Sequence, residues 1–387
     1  MGVFIGINKE VRRAYGFDEI ALSPSDFTVN PDEVDTSWQF EGFNIKYPIM
    51  AAAMDGVVDV KFAIEMSRLG GLAVLNLDGV QTRYDKPDQI LGKLISASQE
   101  KSTELIQNLY KEPVKLELIV KRIKEIKKNN LLTVVSVVPR KALEYGKVAK
   151  KAGADILVIQ STVTAVKHYS TQYKPVNFKE IIDTLKMPII IGNCINYQAA
   201  LDLMEVGASG ILVGVGPGAA CTSRGVLGIG VPQVTATIDC AAARDYFLKK
   251  TGKYVSIITD GGMDSGGDIC KAFASGADAV MVGSLFARAK EAPGKGYHWG
   301  MATVDKNLPR GTRVKVGVNA TLKQILLGPS NMDDGSQNLI GALKTSMGSL
   351  GAKNIKEMQM VEMVIAPSIK SEGKLLQKSQ KIGMGKK

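Results

Sequence analysis

Cysteine is scarce in this chain of 387 residues. Four occur, at positions 194, 221, 240 and 270, far apart and with no CxxC pair. That spacing builds neither a disulfide framework nor a thiolate metal site, and it suits the reducing cytoplasm. Histidine occurs twice, without zinc-ligand spacing, and aromatic residues make up only 6% with no basic aromatic stripe, which argues against a nucleic-acid partner. No run of about eighteen apolar residues exists, so no membrane span is expected. The first residues carry Lys9, Glu10, Arg12 and Arg13 where a secretory signal needs an apolar core. An early GxGxxG fingerprint is missing as well.

What is present is ordinary for a globular protein: 45% hydrophobic and 22% charged residues. The length allows one large domain or two, with an ample core that needs no disulfide. The net charge of +11 comes partly from lysines scattered over helix faces, which serve solubility, and it also suits a phosphate-bearing ligand.

Residues 1–47 read as an arm with turns at Ser23-Pro24-Ser25-Asp26 and Asn30-Pro31-Asp32. A repeating grammar follows. Pro48–Met54 reads as a buried strand, Val58, Phe62, Met66 and Leu69 fall at helical spacing, and Gly70-Gly71 stops the helix before the strand Leu72–Leu75. The helix–glycine–strand junction returns at Gly153, Gly207 and Gly276, each followed at once by an apolar strand. With Leu132–Val138, Pro188–Ile191 and Val255–Thr259 this makes about eight strand–helix units. The expected fold is an α/β (β/α)8 TIM barrel, and a doubly wound open sheet is the alternative. The expected organisation is a single catalytic domain over 1–387. The barrel runs from about 48 to 365, residues 85–130 form a helical insertion after the second strand, and a Lys-rich tail of 370–387 is poorly ordered or partner-dependent. In the insertion, Leu116, Ile119, Ile123 and Ile126 share a helical face, with Arg122 on the solvated side.

In such barrels ligands bind at the carboxyl ends of the strands. Three features then fall on one rim: a glycine-rich loop at 214–230 carrying Cys221, Asp260-Gly261-Gly262 after strand seven, and Gly283-Ser284 after strand eight. A cysteine on an exposed loop can be a nucleophile. Asp260 accepts hydrogen bonds only and suits a ribose diol, and Gly283 and Ser284 can offer amides and a hydroxyl to phosphate. The plainer reading is an inert cysteine, a turn aspartate and tight turns. The convergence of the three favours a site.

The fragments MAAAMDGVVD (50–59), IGNCINYQAA (191–200), GVGPGAACTSRGVLGIGVPQ (214–233), TDGGMDSGGDICKAFASGADAVMVGSLFA (259–287) and LPRGTRVKVG (308–317) resemble, in order, the IMP dehydrogenase/GMP reductase family. The resemblance spans roughly 15–370 and is nearest the short subgroup without the paired regulatory domains. It implies that Cys221 attacks C2 of a purine nucleotide (GMP or IMP), that Asp260 holds the ribose, and that Gly261 is a further substrate contact. Gly262, Gly283 and Ser284 would bind the 5′-phosphate, while Gly300, Met301 and Ala302 would read the base edge. It places Ser161, Thr162 and Asn193 at the nicotinamide of NADPH (or NAD), and a potassium ion on the carbonyls of Gly216, Gly218 and Cys221. It also implies a homo-oligomer, tetramer or octamer.

The chain departs from the pattern at several places. Ala219 stands where a serine is usual, Gln160 where an aspartate is usual, and Ser223 where the second threonine after the cysteine is usual. Arg310, a further candidate substrate contact, replaces a glutamate. The interval from Lys295 to Leu308, KGYHWGMATVDKNL, has no Arg-Tyr pair and no room for the flap that activates water in IMP dehydrogenases. Hydrolysis needs an activated water. The expected activity is therefore GMP reductase. IMP dehydrogenase and a catalytically silent nucleotide-binding protein are the alternatives.

Overall fold

The computed structural model describes residues 2–300, 312–369 and 371–386. Eight parallel strands close into a barrel, labelled here β1 Ile49–Ala51, β2 Leu72–Asn76, β3 Val134–Val137, β4 Ile156–Gln160, β5 Ile189–Cys194, β6 Gly210–Val213, β7 Ser256–Asp260 and β8 Ala279–Val282. Each strand pairs in parallel with its neighbour in sequence, and β8 pairs with β1, which completes the (β/α)8 architecture. No described helix is long and apolar enough to cross a membrane.

The repeated junction shows why the sequence folds this way. Gly70, Gly153, Gly207 and Gly276 all adopt φ between 98° and 105°, a region that a side chain at Cβ would penalise. Two residues after the last three stand Asp155, Ser209 and Asp278. Each accepts the amide of the neighbouring strand's first residues (Thr133 at 2.7 Å, Ile189 at 3.4 Å, Ile257 at 2.8 Å). Each returns its own amide to the same residue's carbonyl, at 2.9, 2.8 and 2.7 Å. The junction thus ends a helix and fixes the register of the next strand pair.

Barrel interior and outer layer separate cleanly. Met50, Leu72, Val74, Val134, Val158, Ile190, Leu212, Ile258 and Met281 fill the barrel with Trp38, Phe40 and Ile45 from the arm. Those three lie on the strands Trp38–Phe40 and Phe43–Ile45, a hairpin that plugs the amino-terminal end, where Trp38 Nε1 donates to Ser256 Oγ at 3.2 Å. Burying each such side chain is worth about 1.5–3 kcal/mol. With that end plugged, a ligand is left the carboxyl end.

Between β2 and β3 lie the helices Val80–Arg83, Pro87–Ser96, Gln99–Leu109 and Leu116–Lys127. The buried face of the last is Leu118, Ile119, Arg122, Ile123 and Ile126, while Leu116 is exposed. Periodicity puts Arg122 on the solvated face, yet it is buried, because its guanidinium donates to the carbonyls of Gln81 at 3.0 Å and Asp85 at 3.1 Å. At the carboxyl terminus, where composition suggests a poorly ordered segment, the chain forms the helix Leu375–Gln380, with Leu375 and Leu376 exposed.

Candidate active site

A cavity of about 410 Å³ opens at the carboxyl end of the barrel, and every strand or the segment that follows it contributes to its wall. The loop after β6 brings Gly216, Gly218, Ala219 and Cys221. Asp260, Gly261 and Gly262 come from β7, and Gly283 and Ser284 follow β8. Ser161 and Thr162 follow β4, Asn193 lies on β5, and Gly300 closes the wall from beyond β8. Cys221, Asp260 to Gly262, Gly283 and Ser284 are those the strand-end argument puts on one rim, and the others are those the family resemblance names. Met301, Ala302 and Arg310 lie outside the described residues. No group of three or more His, Cys, Asp or Glu side chains among the described residues is placed to hold a metal ion.

The β6 and β7 loops are stitched together by Gln233, whose Nε2 donates to the carbonyls of Val213 at 2.6 Å and Asp260 at 3.1 Å. A Cβ on Gly214 would lie 2.4 Å from the Asp260 carbonyl, so only glycine admits this approach. Arg224 holds the loop from beneath, donating to Val231 O at 2.9 Å and Val215 O at 3.4 Å. Cys221 is partly exposed on the cavity wall, and its thiol donates to Ser223 Oγ at 3.3 Å. Ser223 itself is fully buried beneath the cysteine and does not line the cavity. It can steady the sulfur but cannot touch a ligand.

Asn193 Nδ2 and Gln160 Nε2 both donate to Asp260 Oδ2, at 2.8 and 3.1 Å. The resemblance places Asn193 at a nicotinamide, whereas the side chain is committed to Asp260. An aspartate at 160 would set two carboxylates against each other, and the glutamine removes that conflict. Both amides sit on one oxygen, which orients the other for a ligand. Enclosure by protein raises the Asp260 carboxyl to about 6, opposed by the Asn193 hydrogen bond. Its side chain still reaches the cavity.

Several wall residues carry no motif: Asn76 at the end of β2, Asp78 just after it, Ser136 on β3, and His298. The rule that barrel ligands sit at strand carboxyl ends could have flagged the first two. His298 shares a hydrogen bond with Ser284 Oγ at 3.2 Å, and burial, aided by Arg288, lowers its pKa to about 4, so the ring is neutral there. Asp55, buried behind β2, accepts the amide of Val80 at 2.9 Å and the hydroxyl of Tyr110, and Trp299 Nε1 donates to that hydroxyl at 3.0 Å. The helical insertion thereby supports the wall segment that carries His298 and Gly300.

The model of the IMP dehydrogenase / GMP reductase domain matches residues 14–373. An uncharacterized oxidoreductase of Mycolicibacterium smegmatis is 36% identical over 94% of this chain and 99% of its own length. An inosine-5′-monophosphate dehydrogenase of Cryptosporidium parvum is 30% identical, over 90% of this chain and 91% of that protein. Among solved structures, an IMP dehydrogenase/GMP reductase-like protein from Corynebacterium glutamicum superposes with a TM-score of 0.89 at 38% identity, covering 94% of this chain and 97% of its own.

Proposed function

The chain belongs to the IMP dehydrogenase/GMP reductase family, and we propose that within it the protein is a GMP reductase, converting GMP and NADPH to IMP, ammonia and NADP. The observation that carries the reductive direction is the interval 295–308, too short for a water-activating flap and without an Arg-Tyr pair. Without an activated water, a purine bonded at C2 to the cysteine sulfur has one productive exit, reduction at C2.

In this reading Cys221 supplies the sulfur and Ser223 steadies it. Asp260, held by Asn193 and Gln160, takes the ribose hydroxyls with its free oxygen. The amides of Gly262, Gly283 and Ser284 hold the 5′-phosphate, with the Ser284 hydroxyl set by neutral His298. Gly300, with Met301 and Ala302, reads the base edge, and Arg310 adds charge near the substrate. Ser161 and Thr162 would hold the nicotinamide end, and the Thr162 hydroxyl, with no protein partner among the described residues, fits a carboxamide. Dihydronicotinamide bound there would supply hydride to C2.

The carbonyls of Gly216, Gly218 and Cys221 are hard oxygen donors in one loop, the donor type a potassium ion takes. Gly218 O also accepts the Cys221 amide at 2.9 Å, so an ion there would stiffen the loop under the cysteine. We extend the reading to a homotetramer, with paired tetramers as octamers, working in the cytoplasm.

The test is purified protein assayed with both nucleotide–cofactor pairs at the nicotinamide absorbance. NADPH oxidation that depends on GMP and releases ammonia is expected. NAD reduction by IMP, with no GMP-dependent oxidation, would reverse the direction, and binding without turnover would leave a silent nucleotide binder.

Ala219 offers a second test. It is exposed and lines the cavity. Ala219→Ser adds one hydroxyl donor facing the phosphate. Given about 0.5–1.5 kcal/mol for a hydrogen bond, the KM for nucleotide should fall roughly two- to tenfold at unchanged kcat. An unchanged KM would remove the phosphate from this part of the loop.

A further inference from the structure

Loss of ammonia from C2 requires a proton, because an amide anion is too poor a leaving group to depart unprotonated. Three carboxyl groups among the described residues line the cavity: Asp78, Asp260 and Asp264. Asp264 is exposed on the rim. Asp260 is committed to its two amide donors and to the ribose. Asp78 is different. It is buried, 9% exposed, and its Oδ2 accepts the amide of Val138 at 2.7 Å. Its other oxygen has no protein partner among the described residues. Its backbone is held at both ends, the amide by Asn76 Oδ1 at 3.0 Å and the carbonyl by Arg83 Nε at 2.9 Å. Such a side chain is preorganised without being used up.

Its place in the barrel matters equally. Asp78 follows β2 and Cys221 follows β6, four strands apart in a closed ring of eight, so they face each other across the mouth. A purine between them would take sulfur from one side and meet a carboxylic acid on the other. We propose that Asp78 is the acid that protonates the departing 2-amino group. The inference rests on the reductive reading above.

The Cys221 thiol gives its proton to solvent, and its sulfur forms a bond to C2 as the C2–N3 π pair moves onto N3. That π bond re-forms as the exocyclic C2–N bond breaks; the C–N pair leaves with nitrogen, which takes the Asp78 proton and departs as ammonia. Dihydronicotinamide, when bound, would supply hydride to C2, and the C–S pair would return to sulfur. Asp78 recovers its proton from solvent. Burial raises the Asp78 carboxyl, opposed by the Val138 amide and by Arg83 and Lys141, and Asp55 and Tyr145 are the other ionisable groups around it. Arg310 lies outside the described residues and cannot donate a proton near neutral pH.

The experiment compares full-length wild type and Asp78→Asn with two substrates, GMP and 2-chloroinosine 5′-monophosphate, each with NADPH. Chloride leaves without a proton, so the second substrate bypasses the acid: C2–Cl breaks, C2–H forms, and chloride and NADP are released. Asparagine keeps an acceptor for the Val138 amide. With GMP, kcat should fall on the order of 10²- to 10⁴-fold. With the chloro substrate it should stay within about threefold, which also reports an intact fold. The alkaline limb of the GMP kcat profile should vanish in the variant. Equal slowing of both substrates, or no slowing of either, overturns the role of Asp78 while leaving the reductase reading intact. Failure of wild type to oxidise NADPH with GMP overturns both.

Discussion

Cys221→Ala is expected to abolish GMP-dependent NADPH oxidation while leaving the protein folded and able to bind nucleotide. Direct displacement of an amine by hydride has no low-energy path, and the sulfur divides it into two easier steps. Removing a covalent nucleophile costs on the order of 10⁴–10⁶ in kcat, about 5–8 kcal/mol of barrier. The fold should hardly notice, because the thiol lies on the cavity wall and, among the described residues, its one side-chain hydrogen-bond partner is Ser223. Asp260, Gly262, Gly283 and Ser284 keep their places, so GMP should still raise the melting temperature of the variant. Cys221→Ser should fail similarly, since a hydroxyl ionises far less readily than a thiol. Retention of a tenth of wild-type turnover by Cys221→Ala would sink covalent catalysis, whatever else the cavity binds.

The contrast between Cys221 and Asp78 shows what the chain discloses by itself. Cys221 sits in a dense glycine pattern whose backbone demands are visible residue by residue, and Gly214 against the Asp260 carbonyl is the physical reason for one of those glycines. The barrel was legible for a related reason, because each junction glycine must take a left-handed conformation. Asp78 has no such signature. Its character comes from Val138, sixty residues away in sequence, and from the enclosing wall. Arg122 misled periodicity in the same way: the carbonyls that bury it belong to the Val80–Arg83 segment and its exit, 37 to 41 residues earlier. Asn193 likewise carries no local sign of the carboxylate it meets, because its partner Asp260 stands 67 residues on. Local backbone requirements are written in sequence, whereas the partners of buried polar groups are chosen by the closed ring.

The junction aspartate at 278 should be the costliest single residue to remove from the scaffold. It is 2% exposed and accepts from Ile257 N at 2.8 Å, Tyr254 Oη at 2.6 Å, Gln359 Nε2 at 3.0 Å, Arg244 Nη1 at 3.2 Å and Lys356 Nζ at 2.5 Å. One carboxylate therefore joins the β7–β8 register, the helix Gln233–Thr251 and the C-terminal segment. Asp278→Ala leaves the Arg244 guanidinium buried with its main counter-charge gone, and breaking a buried pair costs about 3–5 kcal/mol. Lys61–Asp88, both ends exposed and 3.7 Å apart, is the control, and its loss should cost under about 1 kcal/mol. Burial alone would raise the Asp278 carboxyl, but Arg244 and Lys356, with hydrogen bonds from Lys356 and Tyr254, outweigh it and hold the group below the usual carboxylate range. A depressed folded value means the stabilisation is complete above the unfolded carboxylate pKa of about 3.9 and is lost as pH falls toward the folded value. Urea midpoints measured from pH 7 to pH 3 should drop more steeply for wild type than for Asp278→Ala, the two curves converging at the acid end. If the variant unfolds at the same urea concentration as the Asp88→Ala control at pH 7, the carboxylate does not hold the junction, and the register of β7 against β8 must be set by backbone pairing alone.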